Sequence, residues 1–221
     1  MSTAESVRVS VPGAGDVSAL VLVPARAHRM LVLAHGAGAG MAHPFLEALA
    51  RELASLGVGT FRYQFPYIEA GGRRPDPPSV LTATVGAAVR AAAAAAPGLP
   101  LIAGGKSMGG RMTSQAAAEG RIDDVTALVF FGFPLHPPKQ PGTKRAEHLA
   151  RVQQPMLFLQ GTRDEFAGLE LLRPIVEGLE GRATLHIIEG ADHSFHVLKR
   201  SGRTDGEVLR ELAERAAGFG A

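Results

Sequence analysis

Apolar positions in this chain follow two rhythms that alternate from end to end. Short continuous apolar runs at residues 30–34 (MLVLA), 58–63, 101–103, 125–131, 156–160 and 183–188 have the length expected of strands buried on both faces. Between them, apolar residues recur at helical spacing. After Pro44, suited to a first helical position, Phe45, Leu46, Leu49, Leu53 and Leu56 make one stripe that Gly57 can close. Ser79 is placed to cap a helix running through the alanine-rich stretch to Ala96 and stopped by Pro97 and Gly98. Met108, Met112 and Ala116 recur every four residues up to Gly120, and a further helix covers residues 167–178. Thr204 and Glu207 form a capping box before a last stripe of Val208, Leu209, Leu212, Ala216 and Phe219.

Two segments depart from the alternation. Residues 7–11 and 17–23, separated by Pro12, Gly13, Gly15 and Asp16, read as an opening hairpin. Residues 132–155 are punctuated by Pro134, Pro137, Pro138 and Pro141, with room for one short helix over 144–152 and none for a cap domain. The expected fold is α/β: a mostly parallel, doubly wound sheet of roughly seven or eight strands with an N-terminal antiparallel hairpin, one domain over residues 1–221. In such sheets ligands bind beyond the carboxyl ends of the strands. The loops that matter therefore follow Ala34, Tyr63, Gly105, Phe131, Gln160 and Ile188.

Composition narrows the chemistry. With no cysteine, disulfides, thiolate metal sites and cysteine nucleophiles are excluded. The 23 basic and 21 acidic residues leave a net charge of +2 with no single-sign block, so no nucleic-acid partner is expected. No run approaches the roughly 18 uninterrupted apolar residues of a membrane span, and MSTAESVRVS lacks a signal-peptide pattern, so the expectation is a cytoplasmic protein without a membrane partner.

The loop after residues 101–103 carries the most chemistry. In GGKSMGG, Ser107 stands between Gly105 and Gly109, the GxSxG spacing of a strand-to-helix turn in which residues without side chains let strand and helix nearly touch. Ser107 is the expected nucleophile. A serine hydroxyl needs an imidazole to take its proton and a carboxylate to hold that imidazole. GTRDEF after Gln160 offers Asp164, and EGADHSF after Ile188 offers His193. Each follows a strand, and the order Ser107, Asp164, His193 is the order this architecture uses. HGAGAG after Ala34 supplies an amide, that of Ala37, which with the Met108 amide can form an oxyanion hole, while His35 braces the loop. Asp192 and Glu165 are weaker candidates for the acid. His196 has ligand-like spacing to His193, but no further ligands complete a metal site, and the GAGAG glycines do not fit a dinucleotide fingerprint. No cofactor and no metal are assigned.

Together HGAGAG, GGKSMGGR, FPLHPP, GTRDEF and GADHSF, spread over most of the chain, resemble the α/β-hydrolases. The likeness is to the small lidless dienelactone-hydrolase-like branch, in particular a bacterial group related to hydrolase-like domains of eukaryotic chromatin-complex subunits. The resemblance implies the fold and carries the triad to Ser107, Asp164 and His193. It implies no substrate, and the cysteine nucleophile of dienelactone hydrolases proper is absent. The expected activity is that of a serine hydrolase forming an acyl-enzyme on a small ester, thioester or related acyl compound. A noncatalytic interaction scaffold and an acyltransferase with the same triad are the alternatives. Lys106 and Arg62 are expected to contact the substrate within a basic rim that also holds Lys139, Arg163, Lys199 and Arg200; the contrary expectation is that these side chains bond backbone carbonyls or carboxylates such as Glu165 and Glu189.

Overall fold

Burial follows the apolar runs closely. The computed structural model describes residues 3–220. In the hairpin strands β1 (Glu5–Val11) and β2 (Gly15–Leu22), buried positions recur at every second residue. In contrast, β3 (Arg29–Ala34), β4 (Val58–Tyr63), β5 (Leu101–Lys106), β6 (Ala127–Phe131) and β7 (Met156–Gly161) are buried almost throughout, as strands covered on both faces must be. β8 (Ala183–Ile188) is the partly exposed far edge. The eight strands form one sheet in the order β1-β2-β4-β3-β5-β6-β7-β8, antiparallel at β1/β2 and β2/β4 and parallel elsewhere.

Alternation along each strand sorts the core into two layers. Leu31, Leu33, Val129, Phe131, Leu157 and Leu159 face α1 (Pro44–Ser55) on one side. After β4 comes α2 (Pro66–Glu69), a single turn too short to leave a periodic signal; the Glu69 carboxylate ties it to β2 through Ser18 N–H (3.0 Å) and Ser18 Oγ (2.9 Å). On the opposite side Val32, Phe61, Tyr63, Ala103, Phe130 and Phe158 meet α3 (Pro78–Ala95), α4 (Met108–Ala118) and α5 (Leu169–Glu177). The last helix, α6 (Asp205–Gly218), returns to lie beside α1. Phe130, Phe133 and Phe158 meet edge to face with centroids 4.8–5.5 Å apart, each burial contributing about 1.5–3 kcal/mol.

Three details depart from the sequence reading. Pro77, not Ser79, caps α3, because Pro78 occupies its first turn and moves the start two residues earlier. The proline-rich segment holds a 3-10 helix (Lys144–Arg151) rather than an α-helix; it packs on α4, with His148 Nε2 2.7 Å from Ser114 Oγ. Although 18 residues at a mean hydropathy of 1.2 would let α3 cross a membrane, half of it is buried here, with Leu81, Val85, Ala88, Val89 and Ala92 in the core.

α6 begins with the expected capping box. Thr204 Oγ1 accepts from Glu207 N–H at 3.2 Å, and the Glu207 carboxylate accepts from Thr204 N–H at 2.7 Å. Thr204→Ala should therefore lower unfolding free energy by about 1 kcal/mol, read from the urea midpoint at constant m-value.

Candidate active site

The strand-to-helix turn after β5 is built by backbone contact. Ser107 has φ 52° and ψ −117°, torsions that strain any residue with a Cβ, and α4 starts at the next position. A Cβ on Gly105 would come within 2.7 Å of the Ala34 carbonyl oxygen, and one on Gly109 within 2.5 Å of the His35 oxygen. Glycine at both positions is thus what lets α4 lie against β3 and β5 and lifts Ser107 above the sheet edge.

Register then brings the other loops to it. Ala34 pairs with Gly105, Lys106 with Phe131, and Gly161 with Ile188, so the carboxyl ends of β3, β5, β6, β7 and β8 open on the same side. His193 Nε2 lies 2.8 Å from Ser107 Oγ, and His193 Nδ1 lies 2.7 Å from Asp164 Oδ2. The Asp164 side chain is fully buried and also accepts from Gln160 Nε2 (2.6 Å) and Phe166 N–H (2.9 Å). An ionised carboxylate only accepts, so the proton between Asp164 and His193 belongs on Nδ1, which leaves Nε2 free to receive the serine proton. The Phe166 ring covers the imidazole at a centroid distance of 4.2 Å.

Several of these supports lie outside the residues singled out in the sequence. Gln160 accepts from Phe133 N–H (2.9 Å) while it donates to Asp164, tying the β6 loop to the acid. Its signal was available: it is a polar side chain ending an otherwise apolar strand run. Gly132, at φ 70°, passes so close that a Cβ there would sit 3.1 Å from Lys106 Nζ and 3.4 Å from both Asp164 Oδ2 and His193 Nδ1.

The HGAGAG loop lies against the turn. A Cβ on Gly36 would be 3.7 Å from Ser107 Cβ. His35 is fully buried; Nδ1–H donates to the Gly36 carbonyl oxygen (2.8 Å) and Nε2 accepts from Phe65 N–H (3.1 Å). Burial, only partly opposed by the Gly36 hydrogen bond, lowers its pKa to about 4, which keeps it neutral as a brace. The Ala37 and Met108 N–H groups bond no acceptor among the described residues.

The basic rim is another matter. Lys106 donates to the His193 carbonyl oxygen (2.5 Å) with Nζ 5.2 Å from the Phe195 ring centroid, and burial lowers its pKa to about 8 against the pull of Asp164 and Asp192. Arg62 is buried on the α1 side of β4 and donates to the Met41 carbonyl oxygen (3.0 Å). Both are therefore corrected from substrate contacts to braces, for a reason the strand dictates in the case of Arg62: Phe61 and Tyr63 face one side of the sheet, so Arg62 faces the other. Arg163 similarly donates to the Gly190 carbonyl oxygen (3.0 Å), while Lys139, Lys199 and Arg200 are exposed. Asp192 spends Oδ1 on the N–H groups of Ser194 and His196 within its own loop, Glu165 is exposed, and His196 pairs with Asp205. No group of three or more His, Asp or Glu side chains among the described residues is gathered to hold a metal.

A family described as an alpha/beta hydrolase domain matches residues 27–221. The chain belongs to the α/β-hydrolase family. Among solved structures, this α/β-hydrolase is similar to a dienelactone hydrolase from Anabaena variabilis, at 22% identity and a TM-score of 0.77 over 99% of this chain and 96% of that one. It is similar too to an alpha-beta serine hydrolase homologue from Coxiella burnetii (21% identity, TM-score 0.77, 98% of each chain). An α/β serine hydrolase without a lid from Xanthomonas campestris shares 20% identity at a TM-score of 0.74 over 97% of this chain and 95% of that one. These likenesses are of fold: a mostly parallel sheet of eight strands with an antiparallel β1/β2 hairpin and, among the described residues, no separate cap domain.

Two outcomes follow from this geometry. Gly109→Ala should destabilise the α/β-hydrolase by about 3 kcal/mol or prevent folding, whereas Gly142→Ala, where an added Cβ meets nothing within 4 Å, should be nearly neutral in thermal denaturation. The second concerns acid. His148, like His35, is held at a pKa of about 4, by burial and then by the charges of Arg111 and Arg151, against an ordinary value of 6.5. The unfolded chain therefore binds more protons between pH 6.5 and 4, so the stability due to neutral His35 and His148 is complete above 6.5 and is lost as pH falls toward 4. Urea midpoints at stepped pH should decline over that window, and His148→Gln should flatten the decline.

Proposed function

We propose that this protein is a serine hydrolase cleaving a small ester or thioester through an acyl-enzyme. The carrying observation is the unbroken run of contacts from Ser107 Oγ through His193 to Asp164, at 2.8 and 2.7 Å. In this reading the Ser107 oxygen attacks the acyl carbon as its proton passes to His193 Nε2, and buried Asp164 stabilises the imidazolium. The amides of Ala37 and Met108 take the developing oxyanion. The tetrahedral adduct collapses with cleavage of the bond to the leaving group, which leaves with the proton from His193. Water then attacks the acyl-enzyme by the same route and restores the Ser107 hydroxyl.

Its test is intact-mass labelling with a fluorophosphonate. Wild type should gain one adduct and Ser107→Ala none; a folded wild type that never labels overturns the reading in favour of a noncatalytic scaffold. Asp164→Asn should fold yet lower kcat/KM by up to about four orders of magnitude, because the imidazole then adopts the wrong tautomer. Asp192→Asn should change kcat/KM less than about tenfold, and the reverse ranking would move the acid to Asp192.

A further inference from the structure

Along α4 from Ser107 the fold leaves two guanidinium groups without a hydrogen-bond acceptor among the described residues. Arg111 lies one turn into α4, with its own N–H donating to the Ser107 carbonyl oxygen at 3.1 Å, so the two residues are separated by about 6 Å along the axis. Helical side chains lean toward the N-terminus, which carries the Arg111 guanidinium back toward the Ser107 end. It is half-buried, its Nε is closed to solvent, and it meets no acceptor among the described residues. On the 3-10 helix that packs against α4, Arg145 stands three residues before His148, and Arg111 three residues before Ser114; since His148 Nε2 lies 2.7 Å from Ser114 Oγ, the same helix faces bring Arg145 to the Arg111 end of α4, half-buried and likewise without an acceptor among the described residues.

The surroundings make this pairing costly rather than accidental. Burial and then the charge of Arg145 lower the Arg111 pKa to about 10, and no carboxylate offsets either effect. Glu119, which acts on the neighbouring His148, is already engaged by Thr82 and Arg121. Residues 132–155 carry Lys139, Lys144, Arg145 and Arg151 against one acid, Glu147, within a chain whose net charge is only +2. Two cations drawn partly out of water and toward each other repel, an anion between them relieves that repulsion, and guanidinium forks match carboxylate and phosphate oxygens in geometry.

We propose that Arg111 and Arg145 form an anion subsite beside Ser107 that binds a carboxylate or phosphate carried by the substrate, so that the enzyme selects anionic esters. The selection of esters rests on the serine hydrolase reading; the subsite itself does not. Lys106 and Arg62, already bonded to backbone carbonyls, take no part in it.

The test has two arms. In the first, kcat/KM is compared for the 4-nitrophenyl monoester of adipate and for 4-nitrophenyl hexanoate. At low salt wild type should favour the adipate ester at least tenfold, and the ratio should shrink at 1 M salt, where the screening length falls to about 3 Å. Arg111→Gln and Arg145→Gln should each bring the ratio close to one, mainly through KM, and Arg145→Lys should leave it intermediate. In the second arm, adipate and inorganic phosphate are titrated calorimetrically into Ser107→Ala, where no turnover is needed. Binding that disappears in Ser107→Ala/Arg145→Gln supports the subsite, and whether adipate or phosphate binds identifies which anion it takes. Arg145→Glu supplies a carboxylate from the chain itself, so it should raise the thermal midpoint while abolishing anion binding. If wild type hydrolyses neither ester, the hydrolase reading fails and the calorimetric arm alone decides. Equal kcat/KM for the two esters in wild type overturns the selection of carboxylate esters, and no arginine-dependent binding of either anion overturns the subsite.

Discussion

The carboxyl edge of the sheet depends on how closely α4 can approach β3 and β5. Gly105 and Gly109 reduce that distance to backbone contact, where a single added Cβ would stand 2.5–2.7 Å from a carbonyl oxygen. The approach forces Ser107 into positive φ. Strain of this kind, on the order of 1–3 kcal/mol, persists only where the surroundings over-determine it. Here they do: Ser107 N–H is fixed to the Phe131 carbonyl oxygen (3.1 Å), and the HGAGAG loop closes on the other side.

From that fixed point the other groups are reached by register rather than by long flexible arms. Asp164 and His193 follow the ends of adjacent strands β7 and β8, and Gln160 joins the acid to the loop after β6. Each polar group in the chain of contacts has a partner whose own geometry is set by the sheet. Burying Asp164 without those donors would be unfavourable by several kcal/mol; with three of them the carboxylate is held in one orientation.

Charge is distributed by the same logic. Lys106, Arg62 and Arg163 end on backbone carbonyls of the loops they support, so their charge is spent on holding those loops. Arg111 and Arg145 lack such acceptors among the described residues; Arg145 belongs to residues 132–155, where four basic residues stand against one acid, and Arg111 lies on the helix that this segment packs against. The cations that brace loops therefore separate from the others by what they bond, a distinction that residue type alone does not carry.

Local order in the sequence determined much of this protein. Continuous apolar runs specified the doubly covered strands, the Thr204 capping box marked the start of α6, and GKSMG marked the turn at Ser107, because each depends on residues within a few positions of one another. That Ser107, Asp164 and His193 lie on one side of the sheet was also legible, since each follows a strand of the parallel set. Tertiary structure decided what distance in sequence conceals. It gave Asp164 rather than Asp192 the contact with His193, because Asp192 is consumed within its own loop. It turned Arg62 to the face of its strand opposite Phe61 and Tyr63, and it packed the 3-10 helix that carries Arg145 against the helix that carries Arg111. The physical reason is common to all three: a side chain's charge and polarity are written in the sequence, but its partner is fixed only when separate elements pack.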